Sequence, residues 1–430
     1  MNTSRTPQPC AQPCAPVDPA HTPASGRWRD TWAEVDLGAI MENVRSVLLH
    51  IRRPAGIAGA GGHTMPGAHT EPGAHTEPGA HTEPGTRTES GPKLMAVVKA
   101  DAYGHGAVPV ARAALAAGAD WLGVATLGEA MELREAGLRA PILVLGHVDA
   151  RHAPIAAEAG ITLTVASLTH AFALAETALS QPLSVHLKLD SGMSRIGVRT
   201  VEEVHQVADA LDGTPVRVTG AFTHFARADE ADLAPALEQW ARAQPLFDAV
   251  KSRWPADALL LHAANSAGIL ALPAAHLDMV RLGISLYGVY PSGEVARTVP
   301  LRQALRLYTR VVQLKRVPAG TAVSYGGTHV TRAPALLATL PIGYADGLLR
   351  ALSNRGYVQI RGVRCPMVGR VCMDQVVVDA TAVPDIQEGD VATVYDEHSL
   401  ADLADRAGTI PYELLCAISR RVPRVYRQPD

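Results

Sequence analysis

The sequence predicts an α/β chain with an N-terminal (β/α)8 TIM-like barrel followed by a C-terminal all-β domain. Eight candidate strands, at 94–98, 121–125, 141–145, 161–165, 184–189, 216–222, 258–262 and 278–282, alternate with helical stretches. That is the rhythm of a closed parallel barrel. From about Tyr308 the rhythm changes. Helices become rare, and β-rich runs at 309–317, 335–341, 357–360, 376–379 and 391–395 are punctuated by Gly and Pro. A short helix around 412–419 closes them. An open doubly wound sheet is the alternative, but no G-x-G-x-x-G turn follows the first strand. The expected divisions are a tail at 1–29, the barrel at 30–305 and the β-domain at 306–430.

Taken in order, the tail is rich in Pro, Thr and Ala and has no apolar segment of signal-peptide type. It reads as disordered, with Cys10 and Cys14 as free thiols. Residues 31–37 alternate like a short strand, which is open to packing with the β-domain. Asp36 is then placed to cap a helix over 37–52, where Ile40, Val44, Val47, Leu48 and Ile51 keep a 3.6-residue spacing. The stretch 55–92 carries the repeats HTMPGA, HTEPGA, HTEPGA and HTEPGT. Gly and Pro in every repeat cannot build a core, so it reads as a flexible insert. His63, His69, His75 and His81 could hold a soft metal weakly, but inert linker is the better reading of that composition.

The totals narrow the function. Apolar residues make up 47% and aromatics only 4%, so Ala, Val and Leu must fill the cores. With 39 basic and 42 acidic residues there is no polybasic footprint, which argues against nucleic acid or an anionic membrane as partner. The five cysteines are odd in number and irregularly spaced. They suggest neither a disulfide framework nor a metal site, and suit a reducing cytoplasm. No apolar run approaches a membrane span.

Chemistry collects at the ends of the barrel strands. Lys99 closes the first apolar run, with Tyr103 four residues on. Lys188 and Arg195 follow the fifth run, His224 the sixth, Asn265 and Ser266 the seventh, and Arg281, Gly283 and Ile284 the eighth. In a barrel these ends converge on one face. A lysine there is partly desolvated, which lowers its pKa and favours Schiff-base chemistry. Position alone would equally suit a surface lysine closing a strand, and the convergent set decides against that. The Ser266 hydroxyl and the backbone at Gly283–Ile284 fall where barrels frequently bind phosphate. A Schiff-base lysine beside a phosphate cradle points to pyridoxal phosphate.

The motifs AVVKADAYGHG, LKLDSGMSRIG, THFA, HAANSAG, RLGISLYG, SYGGT, PIGYADG, GRVCMDQ and PYELLC occur in that order. Through them the chain resembles the alanine racemases, fold-type III pyridoxal phosphate enzymes, from about Thr31 to Arg427. The resemblance implies a homodimer whose sites are shared between subunits. It also implies interconversion of L- and D-alanine by two bases, with D-alanine going to peptidoglycan. It casts Lys99 as the Schiff-base lysine and one base, and Tyr325, from the partner subunit, as the other. Arg281 would face the pyridine nitrogen. Tyr103, Ser266, Gly283, Ile284 and Tyr412 would hold the phosphate, while His224 and Asn265 line the site. Arg195 and Met373 would meet the substrate carboxylate. Lys188 matches a lysine often carbamylated in the family, and Tyr344 an entrance-corridor residue. Asp101 departs from the Asn of many members, with no change of chemistry expected.

Inverting Cα means removing a proton from one face and returning one to the other, so two bases are needed. A tyrosine base depends on cationic neighbours, since a phenol ordinarily titrates near ~10. By family likeness, a His224–Arg281 pair could supply them. The runner-up is a serine or broad-specificity racemase on the same scaffold. A diamino-acid decarboxylase would place an acid, not Arg281, at the pyridine nitrogen. A non-catalytic cofactor carrier would not need the β-domain with Tyr325 and Met373.

Overall fold

The computed structural model describes residues 29–52 and 91–428. The expectations for the tail up to residue 28 and for the insert from 55 to 90 lie outside the described residues. Strand β1 (Thr31–Asp36) runs directly into helix α1 (Leu37–Ile51). Asp36 caps that helix, its carboxylate accepting the Ala39 amide at 2.9 Å. The stripe Ile40, Val44, Val47, Leu48 and Ile51 is buried, each side chain contributing about 1.5–3 kcal/mol.

Eight parallel strands follow: β2 (Lys93–Val97), β3 (Trp121–Val124), β4 (Ile142–Val144), β5 (Ile161–Val165), β6 (Leu183–Lys188), β7 (Val216–Phe222), β8 (Leu260–His262) and β9 (Met279–Leu282). They pair in the order β8-β7-β6-β5-β4-β3-β2-β9. Two backbone bonds join the ends of that row, Asp278 N to Leu261 O at 3.1 Å and Arg281 N to Ala264 O at 3.0 Å, and so close the barrel. The helices between them are α2 (Ala107–Ala116), α3 (Leu127–Glu135), α4 (Ala153–Glu158), α5 (Leu168–Ala175), α6 (Val201–Leu211), α7 (Ala234–Arg253) and α8 (Ser266–Ala271). Thr126 with Glu129, and Thr200 with Glu203, form capping boxes on α3 and α6. The expected barrel is therefore present. Met95, Leu143, Phe222 and Met279 form a compact cluster on its strands, separate from the large Ala-, Val- and Leu-rich core.

Beyond the barrel come β10 (Leu305–Arg310), β11 (Gln313–Val317), β12 (Ala322–Val323), β13 (His329–Val330), β14 (Ala335–Leu340), β15 (Tyr357–Ile360), β16 (Val363–Pro366), β17 (Val376–Asp379), β18 (Val391–Tyr395) and β19 (Arg424–Arg427). They form a six-stranded sheet β16-β15-β18-β10-β1-β19, a three-stranded sheet β11-β14-β17 and the hairpin β12-β13. β1 lies antiparallel to β10 and parallel to β19, so the start and end of the described chain are paired. The β-rich run 309–317 breaks in two, because β10 and β11 belong to different sheets. Two helices stand near the end, α9 (Leu400–Ala407) and α10 (Pro411–Ala417), where one was expected. Leu400, Leu403 and Ala404 are the buried side of α9, a period masked by its charged residues. No helix among the described residues is long and apolar enough to cross a membrane.

The two ends of the insert meet. A Cβ on Gly91 would sit 3.0 Å from Arg52 Cγ. The connection can therefore be short without moving either end. Replacing residues 55–90 by a short Gly/Ser link should leave stability unchanged or raise it by about 1–2 kcal/mol, since closure entropy shifts by only ~0.6 kcal/mol per doubling of length. Denaturant midpoints of the two forms check this. A marked loss would mean that the insert packs on the barrel.

Candidate active site

Lys99 follows β2 and begins an unusual turn. Ala100, Asp101, Ala102 and Tyr103 all have φ of 52–53°, one turn of left-handed helix without a glycine. Each such residue costs about 1–2 kcal/mol, so the turn stores about 4–8 kcal/mol. Strain of that kind persists only where the surroundings enforce it. Here the Tyr287 hydroxyl donates to Val97 O at 2.9 Å, ahead of the turn. Asp101 accepts the Ala107 amide on its carboxylate at 2.8 Å, and Arg424 Nε donates to Gly104 O at 3.0 Å. The C-terminal segment presses on the same place. A Cβ on Gly104 would lie 2.2 Å from Leu415 O, and one on Gly106 2.0 Å from the Tyr426 hydroxyl.

The turn opens onto a cavity of about 460 Å³ at the carboxyl ends of the strands. Eleven of the residues expected from sequence line it: Lys99, Tyr103, Lys188, Arg195, His224, Asn265, Ser266, Arg281, Gly283, Ile284 and Tyr412. The other three do not. Tyr325, Met373 and Tyr344 lie on the β-domain, 71%, 52% and 44% exposed. Val97, Met193, Phe222, Asp229 and Cys416 also line the cavity without having been assigned a role. The lining is lopsided: four basic residues, Lys99, Lys188, Arg195 and Arg281, face one acid, Asp229.

Arg281 is 3% exposed and has no carboxylate partner among its hydrogen bonds. Its guanidinium donates to Thr223 O (2.7 Å), Ala263 O (2.9 Å), His262 Nδ1 (2.9 Å) and His224 Nδ1 (3.2 Å). Burial pulls its pKa down to about 9, so it stays protonated near neutrality. A guanidinium only donates, so His262 Nδ1 must accept and that imidazole carries its proton on Nε2. His262 Nε2 then donates to His186 Nδ1 at 2.9 Å. Burial and the Arg281 charge hold His262 and His224 well below the usual histidine range. The cationic pair expected from sequence is thus one cation, Arg281, beside a neutral His224. The HAANSAG motif contains His262, but nothing in the sequence tied it to Arg281.

A polar cradle stands elsewhere in the cavity. Ser266 Oγ accepts the amides of Gly283 (2.9 Å) and Ser285 (3.4 Å). A Cβ added at Gly283 would lie 3.4 Å from the Tyr103 hydroxyl and 3.5 Å from Ser266 Oγ, so these three groups converge. The Tyr412 ring stands 6.2 Å from that of Tyr103. Asn265 accepts the Gly268 amide on Oδ1 (3.0 Å) and donates to Phe225 O (3.3 Å), which fixes its amide. Burial, helped by the Arg195 charge, lowers the Lys99 pKa and leaves more neutral amine near pH 7. A cationic cavity with a hydroxyl-lined cradle and a lysine of lowered pKa fits an anionic carbonyl cofactor.

The family profile for alanine racemase, N-terminal domain, matches residues 85–291, and that for alanine racemase, C-terminal domain, matches 304–426. The chain belongs to the alanine racemase family. Alanine racemase 2 of Oceanobacillus iheyensis is 42% identical over 93% of this chain and 94% of that protein. The solved alanine racemase of Bacillus anthracis with bound L-Ala-P superposes with a TM-score of 0.79 at 35% identity, covering 94% of this chain and 96% of that one. The alanine racemase of Bartonella henselae, solved with covalently bound pyridoxal phosphate, gives 0.75 at 28% identity over 93% and 99%.

Lys188 links the site to stability. It is buried, donating to Leu189 O at 2.7 Å with its ammonium 5.4 Å from the centre of the Phe222 ring. Burial, then the Arg281 charge, pull its pKa to about 7. Between that value and the lysine range of ~10.4, the unfolded chain binds the proton and the folded one does not. Stability should therefore rise with pH through this window. Lys188→Met should flatten the rise, read as denaturant midpoints from pH 7 to 10 in CO2-free buffer. Parallel curves for the two proteins would mean that Lys188 keeps its proton in the folded state.

Proposed function

We propose that the chain interconverts L- and D-alanine with pyridoxal phosphate, working as a homodimer. The observation that carries this reading is the meeting of Lys99, Arg281 and the Tyr103–Ser266–Gly283 cradle in one cavity. The relatives named above are alanine racemases, which favours alanine over serine or a broader set. When bound, the cofactor supplies the electron sink that makes a Cα–H acidic enough to remove. Lys99 would hold it through its amine. Tyr103, Ser266, Gly283, Ile284 and Tyr412 would hold its phosphate, with His224 and Asn265 beside it. Arg281, always a donor, would offer a hydrogen bond to the ring nitrogen without surrendering a proton. Arg195 and Met373 would orient the substrate carboxylate.

Lys99 Nζ can serve one face of Cα, and a base is needed on the other. Among the expected residues the candidate is Tyr325, which stands on the surface of its own β-domain. Val330, Tyr344, Met373 and Ile410 of the same domain are apolar or aromatic and exposed as well, which suits this domain to cover by a second copy. Tyr325 of the partner subunit then completes the cavity, and Tyr344 and Met373 come with it. Lys188, with its depressed pKa, is available to react with CO2 and carry a carbamate.

A chiral assay of the purified protein on L-alanine, L-serine and a longer amino acid tests the reaction. Alanine should be turned over fastest, and no racemisation of any of them would sink the reading. Lys99→Ala should lose the visible absorbance of the protein-bound cofactor after dialysis; a retained band would refute Lys99. Tyr325→Phe should keep that absorbance and lose most racemisation. It should also stop exchange of the α-hydrogen of L-alanine with deuterium, while some exchange from D-alanine persists. Mixing the Lys99→Ala and Tyr325→Phe proteins should restore part of the activity, because one site of a mixed dimer is intact. No recovery with heterodimers formed would place both residues in one subunit's site.

A further inference from the structure

Glu129 is the third residue of α3, and as a capping-box acid it needs only one carboxylate oxygen. Oε2 performs that task, accepting the amides of Ala125 (2.7 Å) and Thr126 (3.1 Å). Oε1 is left over, and it crosses to the neighbouring strand end, where it accepts the Ala100 amide at 2.7 Å. Ala100 directly follows Lys99 and is the first residue of the left-handed turn. The regular pairing between these strands ends just before it, with Val98 N donating to Gly123 O at 2.8 Å. The side chain of Glu129 therefore carries the connection one step beyond the ladder. The sister box on α6 serves as an internal comparison. There the Glu203 carboxylate accepts Arg199 N (2.5 Å) and Thr200 N (3.2 Å), both from its own turn.

We infer that Glu129 is a positioning residue for Lys99. By holding the Ala100 amide it ties down the start of the strained turn and so sets the direction in which the Lys99 side chain leaves the backbone. The far side of the turn is held separately, by Asp101 at the Ala107 amide and by Arg424 at Gly104 O. A second effect runs with the first. Cys416 and then the Glu129 carboxylate favour the charged form of Lys99, partly offsetting burial and Arg195. The inference rests on the reading of Lys99 as the cofactor lysine.

Glutamine separates bridging from capping. Its single carbonyl oxygen can serve the α3 cap or Ala100, but not both, and it carries no charge. Thr126→Ala is the control. It removes the reciprocal cap, Glu129 N to Thr126 Oγ1 at 3.3 Å, and leaves the carboxylate in place. On the full-length apoprotein, two quantities are measured: amide hydrogen exchange over 99–106, and the pH midpoint for acetylation of Lys99 read by mass spectrometry. Kinetics follow on the holoenzyme. Glu129→Gln and Glu129→Ala should exchange that segment about tenfold faster and shift the Lys99 midpoint downward. Their kcat should fall about tenfold with KM within about twofold. Thr126→Ala should leave the segment and the midpoint unchanged. If the Gln and Ala variants keep wild-type exchange and midpoint, or if Thr126→Ala reproduces their changes, Glu129 does no more than cap α3. If Lys99→Ala retains the bound-cofactor absorbance, the assignment of Lys99 fails and the positioning role with it. The exchange data would then still report whether the Glu129 tie exists.

Discussion

A buried guanidinium with no carboxylate beside it constrains the site more than any other group. Removing a charge from water is expensive unless each of its donors finds an acceptor. Arg281 meets much of that demand with two backbone carbonyls and two histidine nitrogens, four acceptors for the five N–H groups of a guanidinium. All four acceptors are neutral, so the positive charge is left uncancelled. The consequences spread outward. His262 is fixed in one tautomer, His186 is drawn into the chain, and the charge adds to the burial that loosens the proton on Lys188. A carboxylate in the same position would have neutralised the charge and freed the tautomers. The choice of neutral acceptors is what keeps the cavity cationic.

Lys99 is governed by a different constraint, backbone strain. Four left-handed residues in a row are unfavourable in isolation, even with the local bonds Ala102 N to Val98 O, Gly104 N to Ala100 O and Ala107 N to the Asp101 carboxylate. Further support comes from far along the chain: Tyr287 from the end of the barrel, Arg424 and Tyr426 from β19, and Leu415 from α10. The strand that supplies Arg424 is itself pinned beside β1 in the six-stranded sheet. The β-domain thus contributes to the site within one subunit by holding the shape of the lysine turn, whatever it contributes to a neighbour.

The barrel was legible in the sequence because most of its strand residues are buried and read as short apolar-rich runs alternating with helical stretches. The lysine and the polar residues at the strand ends were legible because they interrupt those runs. What escaped were features whose cause is not local. KADAY contains no glycine, so nothing at that point announces a left-handed turn; the tight contacts with Leu415 and Tyr426 that accompany it come from some three hundred residues downstream. Glu129 reads as an ordinary capping-box acid, and only the proximity of Ala100 shows that its second oxygen is in use. The run 309–317 reads as one strand because β-propensity does not report which sheet a residue joins. His262 stood at a strand end like its neighbours, and its tautomer depends on an arginine from the next strand.

Fourteen residues were expected at the site, and they divide along a physical line. The eleven that meet in the cavity come from strand ends of the barrel or from α10, which packs against the lysine turn. The three that do not, Tyr325, Tyr344 and Met373, sit on β-domain loops with large apolar or aromatic surface in solvent. Leaving such side chains exposed forgoes the stabilisation that burial would give. Under the proposed dimer that forgone burial is recovered at the interface, so association and completion of the site are driven by the same surface. On that proposal, holding the cofactor would need one chain, because the cradle and Lys99 already meet in its cavity. Inversion of Cα would need two, because Tyr325, the proposed second base, stands on the surface proposed for a second copy.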